Sequence, residues 1–506
     1  MPGLIVETKY GKLEGVQEGP VSVWRGVPFA QPPIGSLRFR SPLPPKAWNG
    51  VRDASRFGPI APQKASLMDG LTGRTRAEYS EDCLYLNIWS PAADNQHRPV
   101  VVWIHGGAFV TGAGSVPWYN GVSFAEQGDV VVVTINYRLG IFGFLHLAEY
   151  GGEDFATSGN CGILDQVAAL QWVQENIAAF GGDPNNVTIF GESAGSMSVA
   201  VLLGLSYHQP LFHKAILQSG VANNLRKPAE AYVVTTQVLS KLSLSKHEAI
   251  AGLQAVPMEQ LLDLAFAFPS ATGARPFAPL IDGVLVQQSP LDAVGNGSAR
   301  HIPLLLGTNK DEMTLFTMFD RSWTSLDEEG IKARCAKMVG SHVWQTVAEY
   351  YSNLDGEFSP LERWTKFLTT AVFGMGTIRL AEKQLSQKAP VWLYRFDWPT
   401  PIRDGALQAC HALEIPFVWN NLAQPGVIPF TSDSAQRQPI ADQMHAAWIA
   451  FAHTGSPSVP SLEWPAYDLK NRKVMLFNTN TRAEADPHAL EREVWEKSLT
   501  QTIKGD

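Results

Sequence analysis

The hydrophobic pattern changes period several times along the chain, and each change predicts an element. From Ile5 to Val27 apolar and polar residues alternate between Gly11, Gly15 and Gly19, which predicts a small set of antiparallel hairpins. The passage from Pro28-Phe-Ala-Gln-Pro-Pro-Ile-Gly35 to Pro42-Leu-Pro-Pro-Lys-Ala-Trp48 is too rich in proline for helix or central strand, so it should wrap the surface as extended chain. Leu84 to Trp89 predicts a strand closed by Ser90-Pro91. Val100-Val-Val-Trp-Ile104 and Val130-Val-Val-Val-Thr-Ile-Asn-Tyr137 are apolar without a break, as parallel strands covered on both faces are.

From Asp165, apolar Val167, Leu170, Val173 and Ile177 recur at helical spacing until Gly181-Gly182-Asp183-Pro184 stops the helix. A strand from Val187 to Phe190 follows, then a helix from Ser196, then a strand within Phe212 to Gly220. Val221 to Gln287 reads as mostly helical, Ile302 to Leu306 as strand, the next region as helical, and Val391 to Phe396 as a late strand. Gln443 to Phe451 predicts a last helix ending near Gly455-Ser-Pro457. This alternation predicts an α/β protein with a large, mostly parallel central sheet and helices on both faces. No Gly/Ser tract, charge run or repeat marks a linker, so residues 1–506 are expected to form one domain, with helical insertions at roughly 221–290 and 313–390.

Composition narrows the function. With 45% hydrophobic and 17% charged residues the chain can bury a large core, and its 15 Trp and 34 Pro point to long, ordered loops. A net charge of −8 without a basic patch argues against nucleic acid or an anionic membrane as partner. No stretch approaches the ~20 apolar residues of a membrane span, and the start has no charged segment followed by an apolar run, so a cytoplasmic location is expected. Cys83, Cys161, Cys335 and Cys410 are irregularly spaced and form no C-x-x-C pair, which predicts buried, reduced thiols and no metal centre.

The chemistry concentrates at Asn186-Val-Thr-Ile-Phe-Gly-Glu-Ser-Ala-Gly-Ser196. Gly191-Glu192-Ser193-Ala194-Gly195 fits the G-x-S-x-G elbow, a turn between strand and helix that lifts a serine hydroxyl to the positive end of a helix. The flanking glycines are expected where a Cβ would collide with the neighbouring element. A serine needs a base, and the base needs a carboxylate behind it. In α/β-hydrolases the acid and then the histidine follow the serine along the chain. Glu312, just beyond the strand Ile302 to Leu306, is the acid candidate; a solvated loop acid beside Asp311 is the plainer reading. Of His342, His411, His445, His453 and His488, position favours His411, which lies among Ala409, Cys410 and Ala412 in a loop after a strand. A histidine satisfied by backbone partners is the alternative there. Oxyanion donors are expected from the amide of Ala194 and from Gly107 and Ala108 in His105-Gly106-Gly107-Ala108, where Gly106 bends the loop. Glu192 is placed to tune the electrostatics under the site or to serve structure alone.

Further segments carry a resemblance: Arg25-Gly-Val-Pro-Phe-Ala-Gln-Pro-Pro-Ile-Gly, Ser80-Glu-Asp-Cys-Leu-Tyr-Leu-Asn-Ile-Trp, Asn136-Tyr-Arg-Leu-Gly-Ile-Phe-Gly-Phe, Gly159-Asn-Cys-Gly-Ile-Leu-Asp-Gln, Ala215-Ile-Leu-Gln-Ser-Gly, Asn309-Lys-Asp-Glu and His411-Ala-Leu-Glu-Ile-Pro-Phe. Together with the elbow and Trp103-Ile-His-Gly-Gly-Ala-Phe, they resemble the type-B carboxylesterases, the branch of the α/β-hydrolases that includes bacterial p-nitrobenzyl esterases and animal cholinesterases. The resemblance runs nearly end to end. It implies a Ser193, Glu312 and His411 triad, oxyanion amides on Gly107, Ala108 and Ala194, and a hydrogen-bonding serine at Ser219. It also implies a gorge roofed by the inserted helices, lined by Phe109, Phe316 and Phe373. The expected activity is ester hydrolysis through an acyl-serine, with no metal or cofactor, on short-chain and bulky aromatic esters. The partner is a small-molecule ester, and the expected state is a monomer or weak homo-oligomer. A non-catalytic binding protein on the same fold is the competing function, and an amidase or lipase the competing hydrolase. Two features depart from the family. No cysteine precedes Cys83 to pair with it, Ala61 standing about where one would be. Gly73 occupies the place of the cholinesterase tryptophan that stacks on quaternary ammonium, which disfavours choline esters.

Overall fold

The computed structural model describes residues 4–65, 78–206, 210–221, 225–268 and 276–500, so Gly73 lies outside the described residues. Among the described residues fourteen strands run in chain order: β1 (Ile5–Thr8), β2 (Gly11–Glu14), β3 (Val16–Glu18), β4 (Val21–Pro28), β5 (Val51–Asp53), β6 (Tyr85–Ser90), β7 (Arg98–Ile104), β8 (Val131–Ile135), β9 (Gly182–Glu192), β10 (Lys214–Gln218), β11 (Leu304–Asn309), β12 (Val391–Phe396), β13 (Lys473–Phe477) and β14 (Arg482–Ala485). Eleven of them form one sheet in the order β14-β13-β12-β11-β10-β9-β7-β8-β6-β4-β3, and β1-β2-β5 form a small second sheet. From β8 to β13 neighbours run parallel; β6, β4 and β3 on one flank and β14 on the other run antiparallel to their neighbours.

The unbroken apolar runs of β7, β8 and β9 serve two cores at once, because successive side chains point to opposite faces. Val100, Val102, Ile104, Val131, Val133, Val187 and Ile189 enter one core, together with Leu170 and Val173 of the helix Cys161–Asn176. Val101, Trp103, Val132 and Phe190 enter the other, where Met444, Ala447, Trp448 and Phe451 of the helix Arg437–Thr454 meet them. A third cluster holds Trp364, Phe367, Phe373 and Trp495 together, tying the helices after β11 to the one near the carboxyl end. Helices fill much of the interval from Pro228 to Phe266 and from Thr314 to Ser386.

Most expected elements are present with shifted ends, the strand expected from Val187 starting at Gly182 and the helix read from Asp165 starting at Cys161, and the proline-rich passage holds the 3-10 turn Gly35–Leu37. The helix expected at Gln443 to Phe451 is longer, Arg437–Thr454, stopped by Gly455 at φ 77°. It is not the last element. β13, β14 and the helix Ala489–Thr500 follow it. All four cysteines are free and buried, so the loop around Ala61 carries no disulfide. Among the described residues no helix is long and apolar enough to cross a membrane.

Candidate active site

β9 ends at Glu192 and the helix Ala194–Gly204 starts two residues later, so Ser193 makes the whole turn. Its backbone sits at φ 55°, ψ −120°, a conformation that costs about 1–3 kcal/mol and persists only where neighbours enforce it. They do so closely. A Cβ on Gly191 would stand 2.6 Å from the Gly195 carbonyl carbon, and one on Gly195 would overlap the Ile104 carbonyl oxygen. The Ser193 amide donates to the Gln218 carbonyl at 2.9 Å, anchoring the turn to β10. As the first helical residue, Ala194 carries an amide with no intrahelical acceptor.

The loop after β7 lies against this turn. A Cβ on Gly106 would stand 2.7 Å from Glu192 Oε2 and 3.2 Å from Ser193 Cβ. Gly107, at φ 109°, accepts the amides of Val110 and Thr111 at 3.0 Å each, and a Cβ there would overlap the Thr111 carbonyl oxygen. Ala108 at φ 56° and Phe109 at φ 65° continue the left-handed turn. Among the described residues nothing accepts the amides of Gly107 or Ala108. The His105 ring stacks on Tyr137 at 4.4 Å, and the Tyr137 hydroxyl donates to the His105 carbonyl at 2.8 Å, which fixes the loop to the sheet.

Glu312, not Asp311, turns inward. It is fully buried, takes the Asn309 amide on Oε1 at 2.7 Å, and meets His411 Nδ1 with Oε2 at 2.6 Å. Asp311 keeps 12% of its side chain exposed, facing Lys366 at 3.9 Å. The other histidines are elsewhere: His445 Nδ1 bonds the Val418 carbonyl at 2.8 Å, His453 Nε2 the Gly128 carbonyl at 2.8 Å, and His342 and His488 are exposed. His411 Nε2 lies 3.0 Å from Glu192 Oε1, an ion-pair distance out of line for a hydrogen bond, and no hydrogen bond joins the ring to Ser193. The imidazole therefore stands between two carboxylates. Burial alone would depress its proton affinity, but Glu192 and then Glu312 outweigh burial and hold it well above the ordinary histidine value. Burial likewise pushes the Glu192 carboxyl up, with His411 opposing.

A strained serine elbow, a left-handed glycine loop packed on it and a buried carboxylate–imidazole contact are the parts of an acyl-transfer site. The model of the carboxylesterase family matches residues 2–495. The chain belongs to that family. It is similar to the para-nitrobenzyl esterase of Bacillus subtilis (strain 168), 40% identical over 97% of this chain and 98% of that protein. It is also similar to the phenmedipham hydrolase of Pseudarthrobacter oxydans, 35% identical over 93% of this chain and 94% of that one. A solved carboxylesterase of Geobacillus stearothermophilus superposes with a TM-score of 0.89 at 45% identity, covering 97% of this chain and all of that one. The protein is thus a carboxylic ester hydrolase of the α/β-hydrolase fold.

The pocket residues expected for this carboxylesterase divide three ways. Phe316 and Phe373 bring their rings to 5.1 and 4.9 Å from the His411 ring. Phe316 is 41% exposed and Phe373 only 2%. Phe109 is 3% exposed and packs edge-on against Phe144 at 5.3 Å. Among the described residues the buried Ser219 Oγ has no hydrogen-bond partner, so the bond expected from it is not formed there, while its amide donates to the Gly307 carbonyl at 2.8 Å. One buried acid escaped the reading of the sequence. Glu414 lies inside the segment His411-Ala-Leu-Glu, where a carboxylate three residues past a histidine gives no sign that both face one interior.

Proposed function

We propose that Ser193, Glu312 and His411 are the catalytic triad of this ester hydrolase, with Gly107, Ala108 and Ala194 as oxyanion donors. The observation that carries this reading is the contact of 2.6 Å between the fully buried Glu312 and His411 Nδ1, on the ring whose other nitrogen faces the elbow. In the reaction Nε2 leaves Glu192 and accepts the proton of Ser193 Oγ as that oxygen attacks the ester carbonyl. Catalytic hydrogen bonds that are long in a free enzyme tighten when substrate arrives. The carbonyl oxygen becomes an oxyanion taken by the three amides, each donor contributing about 2.7–4 kcal/mol to the transition state. The imidazolium protonates the departing alcohol, and water activated by His411 then releases the acid from acyl-Ser193.

The names of the relatives, a para-nitrobenzyl esterase and a phenmedipham hydrolase, support bulky aromatic substrates, and the exposed ring of Phe316 beside the imidazole suits such groups. We infer broad specificity that includes short-chain esters, one catalytic domain over residues 1–506 and a cytoplasmic location, the last supported by four free thiols. Ser193→Ala tests the assignment. It is expected to lower kcat for a p-nitrophenyl short-chain ester on the order of a millionfold with an unchanged melting temperature. Near-native turnover by that variant overturns the triad.

A further inference from the structure

Glu414 is fully buried and has no part in the steps above. Its Oε2 accepts Asn309 Nδ2 at 2.7 Å and its Oε1 accepts Gln218 Nε2 at 3.1 Å. Each amide leads to one member of the triad. Asn309 donates its backbone N–H to Glu312 at 2.7 Å, and its side chain also donates to the Cys410 carbonyl at 2.7 Å. Gln218 accepts the Ser193 amide on its carbonyl at 2.9 Å, and its Oε1 takes the Trp448 indole at 3.1 Å. The third connection is covalent, because Glu414 lies three residues beyond His411 in the same buried loop. Burying an ionisable carboxyl costs several kcal/mol, and packing alone would be better served by an apolar side chain.

We propose that Glu414 is a positioning residue for ester hydrolysis, a buried group that holds the Ser193 elbow, the Glu312 loop and the His411 loop in register. This rests on the triad reading. The titratable groups facing Glu414 are Glu192 from the elbow, Glu312 from the acid loop, Cys410 from its own loop and Tyr394 from β12. Burial, then Glu192 and Glu312, push its carboxyl up to about 8. The Tyr394 hydroxyl is buried without a hydrogen-bond partner; burial and then Glu414 hold it in the phenol form.

Hydrolysis of p-nitrophenyl acetate across pH by the wild type, Ser193→Ala, Glu414→Ala, Glu414→Gln, Gln218→Ala and the double variant Gln218→Ala/Glu414→Gln tests this. Both Glu414 variants are expected to lose on the order of a hundredfold in kcat, with KM within about twofold, as small misplacements of catalytic groups do. The double variant loses no more than Glu414→Gln alone, because the two act as one unit. If Glu414→Ala does not fold, the isosteric Glu414→Gln decides. An inactive Ser193→Ala beside a Glu414→Gln with native kcat overturns this proposal alone. An active Ser193→Ala overturns the triad instead.

Discussion

Glu192→Gln isolates the charge that holds His411 in its protonated form. Glu192 Oε1 stands 3.0 Å from His411 Nε2, the nitrogen that must receive that proton. At this separation and an effective dielectric near 20, a full negative charge interacts with the imidazolium by about 5 kcal/mol. Less than half of that should be lost on substitution. Burial pushes the Glu192 carboxyl up and so weakens its charge at the ring, and the glutamine carbonyl retains a share of the attraction. A loss of about 2 kcal/mol corresponds to about 1.5 pH units in the histidine. The direction follows from the chemistry: the carboxylate favours the imidazolium, which cannot act as base, so removing the charge frees neutral imidazole at lower pH. The acid limb of kcat/KM, measured with p-nitrophenyl acetate from about pH 5 to 9, is therefore expected to move down by about 1.5 units. An unmoved limb would show that the contact is not made in the working enzyme, and a limb displaced upward would show that Glu192 lowers the histidine's proton affinity.

The oxyanion loop and the aromatic pocket give two more predictions. Gly107→Ala forces a Cβ onto the Thr111 carbonyl at φ 109°, so we expect a loss of about 1–3 kcal/mol in thermal or urea unfolding and a fall in kcat on the order of a hundredfold or more. A native rate would mean that another segment supplies the donors. Phe373→Ala opens a cavity beside the imidazole and is expected to cost about 3–5 kcal/mol in unfolding and to reduce kcat. Phe316→Ala, at a ring 41% exposed, should leave stability nearly unchanged while raising KM for a benzyl ester more than for an acetate; equal effects on both esters would remove Phe316 from the pocket.

What could be read from the sequence was local. Gly191 and Gly195 announce the elbow because the steric demand of the turn falls on those very residues, and the apolar runs of β7 and β8 announce strands covered on both faces because every position of them is buried. β13 and β14 are harder to read for the same reason in reverse: they are short and flank the sheet, Lys473 and Val474 are only partly covered, and no residue of Arg482–Ala485 is buried. Position in a loop after a strand favoured His411 over His445, but the sequence does not show that one is satisfied by a helix-end carbonyl and the other clasped by two acids. The electrostatics were the least legible part. Glu192 and Glu414 come from separate stretches, and burial pushes both carboxyls up, Glu192 and Glu312 adding to the effect at Glu414. A nucleophile elbow can thus be inferred from five residues, whereas the proton affinity of its base belongs to the folded interior as a whole. Single substitutions in this cluster should accordingly move pH profiles more readily than they alter substrate preference.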